Sequence, residues 1–245
     1  MSAEIHPAAA TGFARAAAAY ARGRPDYPDA AVDWLAARIG RRVVDLAAGT
    51  GMLTRALAAR GLDVVAVEPI AEMRALIAPG GGVRVLAGTA EAIPAGDASA
   101  DGVTVAQAFH WFDGPRALAE IARVLRPGGA LALVYNHRRL QDAIHLRIQE
   151  LLEPYRGDVP AGRAGAWRGA VETSERFEPA ASATFDNAQR LDGDGLADRF
   201  GSVSFVAALD EPRRAALLAE LRELAGGASA TLRYRTEVEI LRRMG

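Results

Sequence analysis

The chain has no cysteine and no lysine among its 245 residues. The first absence excludes disulfides, thiolate nucleophiles and zinc–cysteine centres. The second excludes lysine Schiff bases and lysine general bases, and makes all 29 basic side chains arginines. Histidine is scarce too. The four histidines, at positions 6, 110, 137 and 145, lack H-x-x-x-H spacing, so no metal site is expected. Acidic and basic residues nearly cancel to a net charge of −1, which leaves no basic field to hold a phosphate backbone; a nucleic-acid partner is not expected. No apolar run approaches the roughly 20 residues of a membrane span. The alanine-rich start is broken by Glu4, Arg15 and Arg22, which does not fit a signal peptide. A cytoplasmic protein is expected, monomeric or homodimeric, without a membrane partner.

Half of the residues are hydrophobic and 25 are glycine, enough for one sizeable α/β core. The most informative stretch is Val43-Val44-Asp45-Leu46-Ala47-Ala48-Gly49-Thr50-Gly51. An apolar run ends in a carboxylate, passes through small residues, and enters a helical pattern at Leu53, Ala56 and Leu57. That predicts a strand, a tight turn and a helix N-terminus. Gly49 and Gly51 let backbone and ligand approach closely, and the free N–H groups opening the helix favour a polar or anionic ligand group. Asp45 can accept hydrogen bonds from a ligand amine or hydroxyl. A dinucleotide turn requires G-x-G-x-x-G, but here the third glycine is replaced by Thr54. No Tyr-x-x-x-Lys pair exists either, which counts against a nicotinamide oxidoreductase, the alternative class for such a turn.

Asp-Leu-Ala-Ala-Gly-Thr-Gly resembles instead the first motif of class I S-adenosylmethionine (SAM) methyltransferases, D/E-x-G-x-G-x-G, with Ala47 where that family's first glycine lies. The strand at 64–67 ends in Glu68-Pro69, with Met73 beyond it, and this too is similar to the family. An acid there suits the two ribose hydroxyls of an adenosine; the family uses the methionine to wall the adenine. Gly88-Thr89-Ala90-Glu91-Ala92-Ile93-Pro94 resembles its G-x-A-E-x-I/L-P segment, whose Ala-Glu step lies along the adenine edge. Ala106-Gln107-Ala108-Phe109-His110-Trp111-Phe112-Asp113 resembles the A-Q-A-x-H-W-F-D string of small-molecule methyltransferases of the trans-aconitate methyltransferase type (the methyltransferase type 11 group). Tyr20 to Pro28 resembles the Y-x-x-x-R-P-x-Y-P segment of the same group. The likeness is weakest over residues 140–200.

Strands at 43–46, 64–67, 83–86, 103–106 and 130–135 alternate with helical patterns at 30–39, 53–59, 71–77 and 115–125. Such alternation means a parallel sheet covered on both faces, with ligands beyond the carboxyl ends of the strands. A helix near 140–152, a sixth strand at 183–191, a short helix at 193–200, a helix capped by Asp210 and a final strand at 231–241 complete the pattern. The fold class is therefore α/β, a Rossmann-like, mostly parallel sheet; the resemblance implies seven strands, the last antiparallel, and a helical substrate-covering insertion. The expected organisation is a single domain: an N-terminal cap (1–29), a SAM-binding core (30–136), the insertion (137–182) and closing strands and helices (183–245).

The resemblance implies SAM as cofactor, S-adenosylhomocysteine (SAH) as product and a small-molecule acceptor, with oxygen favoured over nitrogen or carbon. Cofactor contacts are expected from Tyr20, Arg24, Asp45, Ala47, Ala48, Gly49, Thr50, Gly51, Glu68, Pro69, Met73, Thr89, Ala90, Glu91, Ala106, Gln107 and Ala108. Arg24 suits the methionine carboxylate, a planar fork meeting a planar acid. His110, Trp111, Asn136 and Arg138 are expected to face the acceptor. His110 can remove a proton, hydrogen-bond a substrate carboxylate, or fix its loop; Trp111 can be an aromatic wall or core beneath the loop. A SAM-binding protein without transferase activity would share every cofactor residue.

Overall fold

The computed structural model describes residues 17–157 and 166–245. The expectations for residues 1–16 and 158–165 lie outside the described residues. Helix α1 is described over 17–23. There follow α2 (Asp29–Ala36), β1 (Arg42–Leu46), α3 (Met52–Ala58), β2 (Asp63–Val67), α4 (Ala71–Arg74), β3 (Val83–Leu86), β4 (Ala100–Ala106) and α5 (Gly114–Val124). The second half comprises β5 (Leu125–Arg138), α6 (Ala143–Leu152), α7 (Ala166–Glu172), β6 (Phe177–Leu191), α8 (Gly193–Gly201), α9 (Ser204–Ala207), α10 (Glu211–Glu223) and β7 (Ala230–Arg243).

The seven strands form one sheet in the order β3-β2-β1-β4-β5-β7-β6. The first five are mutually parallel, and β7 is antiparallel to both β5 and β6. The predicted Rossmann-like α/β fold is what forms. Chain order reverses between β1 and β4, so the ligand crevice of such a sheet lies beyond their carboxyl ends. Register carries this through: Asp45 is level with Thr104 of β4 and Ala66 of β2.

Period-two alternation sorts the strands' side chains into two cores. Val44, Leu46, Val103, Val105, Leu131 and Leu133 pack under α5 with Leu118 and Ile121. Val43, Val64, Ala132 and Val134 face the other way, onto Val32 and Leu35 of α2 and Leu53 and Leu57 of α3. A third core forms at the β7 end of the sheet, where Ile148 and Leu152 of α6, Leu196 and Phe200 of α8, and Leu217 and Leu221 of α10 meet Leu232 and Tyr234 of β7. Helix starts follow local chemistry. The Asp113 side chain accepts from Arg116 N–H at α5, and Asp210 accepts from Arg213 N–H at α10, each with proline in the first turn.

Several elements differ from their expected bounds, among them β5, expected over 130–135 but running from Leu125 to Arg138. The helix expected over 71–77 is a single turn, Ala71–Arg74, with Met73 buried beneath it. The sixth strand begins at Phe177, not 183, because β6 is an edge strand. An edge tolerates Pro179, and the register shift between Pro179 and Ala181 absorbs it. Among the described residues no helix is long and apolar enough to cross a membrane.

Candidate active site

The β1 turn is built from left-handed residues. Ala47 has φ 54°, Gly49 60° and Gly51 80°. Only glycine adopts these values freely, so Ala47 holds a mildly strained backbone. A Cβ placed on Gly49 would meet nothing within 4 Å, so the turn opens onto free space there. Gly51 is tighter: a Cβ would lie 3.1 Å from the Ile77 side chain.

Asp45 is buried and held from both sides. Thr54 Oγ1 donates to one carboxylate oxygen at 2.5 Å, and Thr104 Oγ1 to the other at 2.7 Å. Burial pushes its pKa up to about 6, against the pull of those two hydroxyls. Thr54, which breaks a dinucleotide fingerprint, here fastens α3 to the tip of β1. Nothing in the local pattern marked Thr104, 59 positions from Asp45, as its second partner.

Glu68 is the tie between the turns after β1 and β2. Its carboxylate accepts from Gly49 N–H at 2.8 Å and from Ile70 N–H at 2.9 Å. Burial raises its pKa above the ordinary glutamate value, partly offset by those N–H donors. Each oxygen keeps a further lone pair. Pro69 follows, its carbonyl accepting from Arg74, and Met73 packs with Ile70, Ala17 and Tyr20. Beyond β3, Glu91 accepts from Asp113 N–H at 3.0 Å, linking that loop to the start of α5. Ala90 is buried beside it. The hydroxyls of Thr50 and Thr89 are buried and have no hydrogen-bond partner.

After β4 the chain turns sharply. Ala106 ends the strand, Gln107 adopts φ 59° with its N–H on Val134 O, and Ala108 is buried. A single 3-10 turn, Phe109–Trp111, then lifts His110 and Trp111 over the sheet with ring centroids 5.0 Å apart. Trp111 does two things: it packs partly on the core and also lines a cavity. Burial and the nearby Arg24 cation lower the His110 pKa to about 4, so the imidazole is neutral at ordinary pH. Its Nδ1 is buried and has no hydrogen-bond partner.

The cavity, about 560 Å³, gathers Tyr20, Arg24, Gln107, His110, Trp111, Asn136 and Arg138. Asp45, the β1 turn, Glu68 and Glu91 do not line it. The expected residues thus divide into a group at the strand tips and a group around this space. Arg24 lies over the Tyr20 ring at 4.3 Å, and burial drops its pKa to about 10. Asn136 is tied into the scaffold, accepting from Thr236 at 2.5 Å and donating to Asp26 O at 3.4 Å.

Several contributors carry no local sequence signal. Three side-chain amides hold the N-terminal segment over the strand ends: Asn136 and Asn187 donate to Asp26 O, and Gln189 to Gly23 O. Gly23 allows the helices to touch, since a Cβ there would meet Arg199 N at 2.4 Å. The far wall comes from α6 and its following turn (Gln149, Leu152, Glu153, Arg156) and from α8 and α9 (Arg199, Phe200, Ser204, Phe205). These wall residues fall both inside and outside the expected 137–182 insertion.

Comparison with known proteins bears on this arrangement. A family model described as a methyltransferase domain matches residues 44–133, the stretch from β1 to β5 that carries the turn, Glu68, Glu91 and His110. An uncharacterized methyltransferase of Mycobacterium tuberculosis is 58% identical over 127 residues; the match covers 51% of this chain, which spans about half (52%) of that relative's length. An uncharacterized methyltransferase-like protein of Schizosaccharomyces pombe is 32% identical over 212 residues, 84% of this chain and 82% of that protein. Among solved structures, one described as a putative type II methyltransferase from Anaeromyxobacter dehalogenans is 26% identical and superposes with a TM-score of 0.68, covering 90% of this chain and 97% of its own.

Proposed function

The chain belongs to the class I SAM-dependent methyltransferases, and from that premise we propose that it moves a methyl group from SAM to an oxygen of a small-molecule acceptor. The observation that carries this reading is the division of the site. A turn open at Gly49 and tied to a buried Glu68 adjoins a separate, partly apolar cavity headed by His110. One place suits a nucleoside and the other a second molecule.

The residues present fit the cofactor. Space in front of Gly49, the remaining lone pairs of Glu68 and the orphaned hydroxyls of Thr50 and Thr89 supply what an adenosine and an amino-acid tail require. In this reading Glu68 takes the ribose hydroxyls, Met73 and the Ala90-Glu91 step flank the adenine, and Arg24 pairs with the methionine carboxylate. Asp45 holds Thr54 and Thr104, and through them the shape of the turn. When bound, SAM supplies an electrophilic methyl on a sulfonium sulfur, whose leaving group is a neutral thioether.

Little chemistry then falls to side chains beyond alignment and exclusion of water. The Gln107 turn and the 3-10 turn would orient the acceptor's oxygen toward the methyl that bound SAM presents. His110, neutral with a free Nδ1, can accept a hydrogen bond from an acceptor hydroxyl or donate from its other nitrogen. With a pKa of about 4 it is a weak base; an ionised carboxylate nucleophile needs none. We assign His110 to positioning the acceptor. Incubation with labelled SAM and candidate acceptors, followed by mass spectrometry, tests the activity. Acceptor-dependent SAH formation with a product heavier by one methylene supports it. SAH binding without turnover on any acceptor points to a SAM-binding protein.

A further inference from the structure

Helix α8 places an arginine where the helical period calls for an apolar side chain. Leu196, Arg199 and Phe200 share one face of the helix. Leu196 and Phe200 use it to enter the third core with Leu217 and Leu221. Arg199 is only 7% exposed, yet among the described residues no carboxylate lies in ion-pair contact with it. Its Nε donates to Tyr234 Oη at 3.3 Å, its guanidinium lies 4.9 Å from the Phe200 ring, and Nη1 is buried without a partner. A surface arginine that folded inward would be expected to find an acid or water; burying the charge uncompensated is costly.

The charge around it makes the deficit plainer. Among the described residues lining the cavity, four are arginines (24, 138, 156 and 199) and Glu153 is the single acid. Glu153 is already paired with Arg156 at 3.1 Å. Arg138 approaches the same Phe200 ring as Arg199, at 5.9 Å. Trp111, Leu152, Val203 and Phe205 add apolar wall, beside the polar Gln107, Asn136, Gln149 and Ser204. Arg24 is the arginine assigned above to the cofactor's carboxylate. Arg199 lines this cavity of about 560 Å³ and keeps a buried donor, Nη1, without a hydrogen-bond partner among the described residues.

We propose that Arg199 anchors a carboxylate of the methyl acceptor, and that the acceptor is an amphiphilic acid with an apolar body lying against Trp111, Phe200 and Phe205. The proposal rests on the methyltransferase reading and makes it more specific. A planar carboxylate matches the guanidinium fork, and its charge offsets that of the buried Arg199. The apolar walls select the body of the acid, and Arg199 fixes its end. Arg199 is in this account a specificity-determining residue; the transferred methyl does not pass through it.

The test measures ligand binding by calorimetry on the full chain saturated with SAH, using three probes: 3-phenylpropanoate, its neutral amide and phenyl phosphate. The acid should bind at least tenfold more tightly than the amide. Arg199→Gln should remove that preference while leaving SAH affinity within about twofold. Arg199→Met gives a second reading should the glutamine variant not fold. It relieves a buried, unpaired charge and should melt at a higher temperature than wild type while showing the same loss of acid binding. Equal binding of acid and amide by wild type overturns the proposal, as does preference for phenyl phosphate over the acid. A fall in SAH affinity in both variants with acid binding intact also overturns it, by moving Arg199 to the cofactor. Failure of wild type to bind SAH at all sinks the methyltransferase reading itself, a result separable from the others.

Discussion

On one side of the crevice the tips of β1 and β2 and the loop after β3 carry Asp45, Glu68 and Glu91. On the other, the turn after α1, β5, the turn after α6, and α8 carry Arg24, Arg138, Arg156 and Arg199. The two sides differ in more than sign. Every acid is fastened by the protein itself: Asp45 by two threonines, Glu68 by two backbone N–H groups, Glu91 by the N–H of Asp113. Arg156 pairs with Glu153 of the same wall, whereas Nη1 of Arg199 is buried without a hydrogen-bond partner among the described residues. The acidic side is preorganised by the sheet, and its shape precedes any ligand. The arginine side is held by helices and by a third core, and an acid from outside completes its charge balance.

The largest effect that would sharpen this contrast concerns Asp45. Its folded pKa of about 6 lies above the unfolded value of roughly 3.9, so the folded state binds the proton more tightly. Stability from this group is fully present below about pH 4 and is lost as pH rises to 6, by about 2–3 kcal/mol. Asp45→Asn has no such titration, and the threonine hydroxyls can rotate to meet an amide. The stability difference, variant minus wild type, should therefore grow by about 2–3 kcal/mol between pH 4 and 7 in urea unfolding. A difference that stays constant with pH would show that Asp45 is not strained by burial.

Glu68→Gln attacks the acidic side at its tie. Only one amide oxygen remains to accept where two N–H groups and the ribose all ask for acceptors. At about 1.5–3 kcal/mol for charged hydrogen bonds, SAH affinity should fall about tenfold or more. Unchanged affinity in a folded variant would move the ribose contact away from β2.

His110 stands at the border between the two sides. As a positioning residue, His110→Ala should lower turnover about tenfold at saturating SAM, leave SAH affinity alone and not shift the pH–rate profile. A loss of about 10²–10⁴-fold, with a wild-type limb falling as pH drops through about 4, would make it the base instead.

The smallest effect tests backbone strain on the acidic side. Ala47→Gly releases a left-handed alanine, worth roughly 1–2 kcal/mol, against roughly 0.5–1 kcal/mol of added chain entropy. A net gain of about 0.5–1 kcal/mol in urea unfolding is expected, and a net loss would mean the alanine methyl packs usefully.

The same two sides differ in how readily the sequence discloses them. Strands β1 to β5 are apolar runs ending in acids and small residues, all local signals, so their order, the turn and Glu68 could be read directly. The cap at Asp210 was equally plain, because capping acts over three residues. The partners of Asp45 could not be read that way: Thr54 looked like a broken glycine pattern, and Thr104 meets it only through the β1–β4 register. The first residues of β6 resisted for another reason, since an edge strand of Glu178, Pro179 and Ala181 carries little apolar alternation. Arg199 was the least legible. An arginine in a helix reads as solvated, and only the packing of α8 against Gly23 and Tyr234 turns it inward.

The measurement that bears most directly on the whole account is a calorimetric titration of the wild-type chain with SAH and, separately, with NAD. The account predicts saturable binding of SAH and none of NAD. NAD binding without SAH binding would contradict it.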